Sequence, residues 1–185
     1  MLWSMNEIPT MMRGAADRAS ELIRNVREDQ LALPTPCQDY DVKELINHME
    51  WVASLFESVA LGGEFVPPKD YTGDFPERVG RMLAVWERPE AWEGVSEAMG
   101  GLPKPVLANM ALTDLVAHGW DLARATGQDY DVDVDTAAAL LAFGAQMAPM
   151  GRERGAFGDE VSVPDDAPPL DRFLGVIGRD PAWKR

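Results

Sequence analysis

Asp114 and His118 stand four residues apart in the string DLVAHGWDLARATG, which runs from Asp114 to Gly127. Four residues make about one helical turn, so a helix here carries both side chains on one ridge. That ridge reads Leu107, Ala111, Asp114, His118, Leu122, and its other members are apolar. A carboxylate set into a packing surface is costly unless it is paired or holds a cation. The chain has one other histidine, His48. It falls in the row Leu45, His48, Val52, Leu55, Val59, at the edge of a second apolar stripe. Packed helices lie about 8–10 Å apart, so donors from two facing helices can meet between them.

His48, Asp114 and His118 would satisfy a divalent ion and leave at least one coordination position open, the pattern of catalytic rather than structural zinc sites. Zinc leads because imidazole suits it; iron, nickel, manganese and cobalt take the same donors. The simpler alternative is a hydrogen bond within the helix, with His48 serving some unrelated polar group. A D-x-x-x-H spacing alone is a common accident.

The elements that must position these residues are helical. The apolar period predicts a first helix from Asn6 to Glu28, with Ile8, Met12, Ala15, Ala19, Leu22, Ile23 and Val26 on its buried face. Pro34 and Pro36 break the chain in LALPTPCQDY. Asp41 with Glu44 three residues on forms a capping box for a second helix, which Gly62 and Gly63 end. A third helix is predicted near FPERVGRMLAVWER, stopped or kinked by Pro89. AWEGVSEAMGGLPKP reads equally as a short helix or an extended connector. The fourth helix opens after Pro105, runs to about Thr126 and is apolar on most sides, which marks it as central. Beyond it, VDTAAALLAFGAQM reads as a helix capped near Asp133 or Asp135, VSVPDDAPP as irregular and LDRFLGVIG as a short helix. Nothing alternates strand and helix, so the fold class is all-α. The expected organisation is a four-helix bundle over about 5–127 with a short helical extension over about 128–185.

Composition bounds the function. Lys plus Arg number 17 and Asp plus Glu 31, for a net charge of −14. That surface repels phosphate backbones and anionic lipid heads, so neither nucleic acid nor a membrane is an expected partner. No stretch approaches a membrane span, and the N-terminal MLWSMNEIPTMMRG lacks the basic start of a signal peptide. Cys37 is the only cysteine, which removes internal disulfides and points to a reducing, cytoplasmic setting.

Several other residues have two readings. Cys37 reads as a small apolar filler in preference to a nucleophile or ligand, having no basic sequence neighbour to activate it. Asp121 either orients a liganding His118 or pairs with Arg124. Trp51 reads as core packing ahead of pocket wall, and Arg124 as a solvated helix-end charge ahead of an anion contact. Met5, Met11, Met12, Met49 and Met110 read as core filling, and VREDQ as a solvated helix end.

PTPCQDYDVKELINH (Pro34 to His48), HGWDLARATG (His118 to Gly127) and GRDPAW (Gly178 to Trp183) together resemble the metal-binding family related to mycothiol-dependent maleylpyruvate isomerase. That family sits among the DinB-like four-helix bundles. The resemblance spans the chain from the first helix to the tail and implies a metal held by His48, Asp114 and His118. It also implies mycothiol as thiol co-substrate. Two departures stand out: the isomerase carries glutamate where this chain has Asp114, and it has an added C-terminal domain where about sixty residues follow the fourth helix here. Maleylpyruvate isomerisation itself is therefore not the expectation.

Three functions follow. One is a metal- and thiol-dependent transferase or isomerase-like enzyme acting on a small electrophile, with no catalytic residue beyond the metal ligands. A second is a non-catalytic module that binds metal or a small molecule. The third is a structural bundle whose ion merely ties two helices. Bundles of this type often pair, so a homodimer is a further expectation.

Overall fold

The computed structural model describes residues 7–63, 65, 67 and 73–185. Six α-helices carry the fold: α1 (Ile8–Arg24), α2 (Val42–Leu61), α3 (Phe75–Trp86), α4 (Lys104–Thr126), α5 (Val134–Glu153) and α6 (Pro169–Val176). The strands β1 (Val95–Ser96) and β2 (Leu102–Pro103) pair as a small antiparallel hairpin before α4. The first four helices form a ring in which α1 touches α3, α3 touches α2, α2 touches α4 and α4 returns to α1. This is the expected all-α bundle. Among the described residues no helix is long and apolar enough to cross a membrane.

Local chemistry explains the boundaries. Asp41 accepts from Glu44 N at 2.8 Å and Asp41 N donates to Glu44 Oε2 at 3.0 Å, so α2 starts on the capping box. Gly62 and Gly127 take φ of 72°, the left-handed turn that closes α2 and α4. α1 ends at Arg24, short of the expected Glu28, and its expected start at Asn6 and core residue Met5 lie outside the described residues. The reason lies in Gln30: its side chain is buried, donating to Thr126 O and accepting from Arg27 N, which winds Glu28–Gln30 into a separate 3₁₀ turn. The charges of VREDQ, on Arg27, Glu28 and Asp29, are solvated as expected, but the run is a turn docked through Gln30 and not the end of α1. AWEGVSEAMGGLPKP turns out to be both of its readings, two 3₁₀ turns and the hairpin. α5 is capped by Asp133, which accepts from Thr136 N at 2.8 Å, and it runs on through Pro149.

α4 is central, as its all-round apolarity implies: Leu107, Ala111, Leu112, Val116 and Leu122 are fully buried. α6 packs on α5, and Phe173, Leu174 and Ile177 join the same core as the bundle. Met12 and Met49 are core residues; Met11 and Met110 pack against the core while partly exposed.

Candidate metal centre

α2 and α4 lie side by side, and their expected donors meet. One ligand atom each from His48, Asp114 and His118 lies within 4.8 Å of the others. The two imidazoles meet edge to face with centroids 4.8 Å apart. His118 Nε2 is 3.7 Å from Asp114 Oδ1, too far for a hydrogen bond. Bonds of about 2.0–2.1 Å to a tetrahedral zinc put ligand atoms roughly 3.3 Å apart. Closing these three donors on an ion therefore asks for side-chain movements of about an ångström.

Each imidazole is held from behind. His118 Nδ1 lies 3.1 Å from Asp121 Oδ2, so Nδ1–H donates to that carboxylate while Nε2 faces Asp114. His48 Nδ1 is 3.3 Å from the Tyr40 hydroxyl; in the tautomer in which Nδ1–H donates to the phenol oxygen, Nε2 keeps its lone pair. Tyr40 and Trp51 stack on the two sides of His48, with centroids at 4.9 Å and 5.9 Å. Burial, then the neighbouring His118 and Arg179, push the His48 imidazole down to about 4. It is neutral at pH 7, the form that ligates a metal. Burial raises the Asp114 carboxyl above its ordinary range, against the pull of His118 and Arg179. Its side chain is one-third accessible, and it lines a cavity instead of packing shut. The donor set fits a divalent cation: two imidazoles and one carboxylate, each imidazole held by a second partner.

These donors line a cavity of about 740 Å³ between α2, α4, the 36–40 loop and the 155–161 segment. Trp51, Leu55, Met99, Met110 and Phe157 form its apolar wall. Trp51 thus packs against the core, as expected, and walls the pocket as well. The 36–40 loop is pinned by Thr35, whose hydroxyl lies 2.9 Å from Cys37 O and 2.8 Å from Tyr40 O. This places Cys37 in the cavity wall, where it packs against the core as a filler and also forms a second cluster with His118 and Asp121, again within 4.8 Å. Burial raises the Cys37 thiol despite the opposing Arg179 charge.

Asp121 is fully buried and, of its two readings, takes the one beside His118. Its other partner is Arg179, through Nη2 to Oδ2 at 3.1 Å and Nε to Oδ1 at 3.4 Å. Arg124 instead lies over the Trp120 ring and donates to Pro181 O, at the exposed helix end. Sequence reasoning missed Arg179 and Tyr40. Tyr40 sits eight residues before His48, and the Thr35-pinned loop folds it back onto that ring. Arg179 sits in GRDPAW, and no sequence spacing announces that this string reaches α4. Its position comes from Gly178, whose φ of 87° turns the chain out of α6 against the backbone of Gly158. A Cβ on Gly178 would meet Gly158 Cα at 2.6 Å.

The comparisons with known proteins agree with this architecture. Residues 12–75 match the family described as mycothiol maleylpyruvate isomerase N-terminal domain, a stretch that contains all of α2 and His48. Two uncharacterized proteins of Mycobacterium tuberculosis, from strains CDC 1551 / Oshkosh and H37Rv, are each 32% identical over 179 residues. Those alignments cover 89% of this chain and 93% of each relative. No solved structure matches the chain. The helical ring, the family match across α2 and the two near full-length relatives lead to one assignment: the chain belongs to the mycothiol maleylpyruvate isomerase-like family of helical proteins.

Proposed function

We propose that the protein holds a divalent cation, zinc by preference, on His48, Asp114 and His118 and acts as a thiol-dependent transferase or isomerase-like enzyme on a small electrophile. The observation that carries this reading is the convergence of two imidazoles and a carboxylate at a cavity of about 740 Å³. The family match supports mycothiol as the thiol. A cation bound there would lower the pKa of a coordinated thiol and present its sulfur as a nucleophile. The chain's own residues do the rest. Asp121 fixes the His118 ring, and Tyr40 and Trp51 hold the His48 ring between them. Trp51, Leu55 and Phe157 exclude water from the apolar part of a substrate.

The test has two parts. Protein purified without metal supplements should carry close to one divalent ion per chain by elemental analysis, and His48→Ala should lose it. Thiol transfer to a small electrophile should vanish in His118→Ala; equal turnover in that variant rules the mechanism out.

A second reading is a binding module without turnover. It draws on Tyr40 and Cys37, whose burial raises both and keeps them protonated at neutral pH, so neither is a ready base. A thermal-shift screen with thiols and metal ions, run beside a product assay, separates the two. Stabilisation without product favours binding alone.

A further inference from the structure

His118 belongs to two donor sets at once. One is His48, Asp114 and His118; the other is Cys37, His118 and Asp121. On donor chemistry alone the second is the stronger zinc-type site, because it brings a sulfur with a nitrogen and an oxygen. Its carboxylate is fully buried, and its cysteine stands in the cavity wall. The two sets sit on opposite nitrogens of one ring: Nε2 lies toward Asp114, and Nδ1 toward Asp121.

What stands against the second set is Arg179. Its fork addresses both Asp121 oxygens, at 3.1 Å and 3.4 Å, and its side chain is only 11% exposed. Oδ2 then serves both Arg179 and His118 Nδ1, and Oδ1 faces the same guanidinium, so the carboxylate has less lone-pair capacity to give a metal ion. The guanidinium is not there by chance of rotamer. Arg179 N donates to Leu174 O at 2.8 Å, Gly178 closes on Gly158, and the following residues are tied to α4 through Arg124 to Pro181 O and Arg185 Nη1 to Ala125 O.

We propose that Arg179 decides which set takes a cation: by holding Asp121 it closes the Cys37–His118–Asp121 set, directs the ion to His48 and Asp114, and leaves the Cys37 thiol free in the cavity wall. The inference rests on the metal reading above. It makes Arg179 a determinant of metal placement, acting through Asp121 and touching no ligand of the ion it directs.

Cobalt(II) titration of the full chain tests it, because cobalt takes the same donors as zinc and its spectrum reports sulfur ligation. Wild-type protein should show visible cobalt bands without a near-ultraviolet sulfur-to-cobalt charge-transfer band. Arg179→Gln should gain that band, and the further change Cys37→Ser should remove it again. A sulfur band in the wild type overturns the inference, as does its absence from folded Arg179→Gln. Cys37→Ser in the otherwise wild-type chain keeps the test open if Arg179→Gln does not fold. Its cobalt affinity should stay within about twofold of wild type, and a loss of roughly tenfold, the scale of a lost metal-site interaction, overturns the proposal. Wild-type protein that takes up no cobalt at all removes the metal reading itself, and this inference with it.

Discussion

Two clusters of rings sit in this bundle, and they are built differently. Trp86 and Trp92 meet with centroids 5.6 Å apart, and Trp92 Nε1 donates to Trp86 O at 2.9 Å. Trp86 is fully buried, and its own indole nitrogen has no hydrogen-bond partner among the described residues. Around His48, by contrast, Tyr40, Trp51 and His118 gather beside a cavity, and the Nδ1 of each imidazole has a partner. The tryptophan pair tolerates a polar loose end because volume is what it supplies. The histidine cluster has its polar atoms oriented, which packing alone does not require. Satisfied second partners on both rings, more than burial or aromatic contact, separate a candidate site from core.

The contrast is broken most forcefully at Trp86. Trp86→Ala should destabilise the fold by about 3–5 kcal/mol in urea denaturation, the usual cost of emptying a buried aromatic position. Metal affinity of the folded fraction should be unchanged. If metal binding is lost along with stability, the two clusters are not separable.

A smaller effect is expected from pH. The unfolded chain protonates His48 near 6.5, whereas the folded chain holds it neutral down to about 4. Between those values the unfolded state binds more protons, so stability rises with pH there. The contribution is fully present above 6.5 and is lost as pH falls from 6.5 toward 4. Asp114, raised in the fold, acts in the opposite sense and does so in both chains under comparison. Urea midpoints across this window should fall more steeply for metal-free wild type than for metal-free His48→Gln. Equal slopes would place the ring in bulk-like water.

The smallest effect sharpens the comparison at its finest point. Tyr40→Phe keeps the stacked ring and removes only the oxygen facing His48 Nδ1. Metal affinity by titration should drop roughly tenfold, as for other partners behind a ligating histidine. Stability should move by no more than about 0.5 kcal/mol, as for a change that leaves packing intact. An unchanged affinity would make Tyr40 a packing residue and bring this cluster closer to the tryptophan pair.

Periodicity made the helical half of the site legible. Asp114 and His118 share a ridge because α4 is regular, and His48 is placed by the Asp41 capping box that sets the phase of α2. The other half comes from loops and tail, where sequence spacing carries no distance. Asp121 has Arg124 one turn away, yet its partner is Arg179, 58 residues on, because Gly178 and Gly158 allow two backbones to touch. Cys37 has no basic residue beside it in sequence and acquires one only in space, in Arg179. The Gln30 side chain, 96 residues from its acceptor at Thr126, likewise overrode the helical period of α1.

The 58 residues between Asp121 and Arg179 also set an order of events at the ribosome. At about 5–20 residues per second, the guanidinium leaves the exit tunnel roughly 3–12 s after the carboxylate it will cover. An α4 that docks on α2 during those seconds offers Asp121, His118 and Cys37 uncovered to whatever ions the surroundings supply. A cation of the proposed kind would thus reach these donors before Arg179 emerges to cover Asp121.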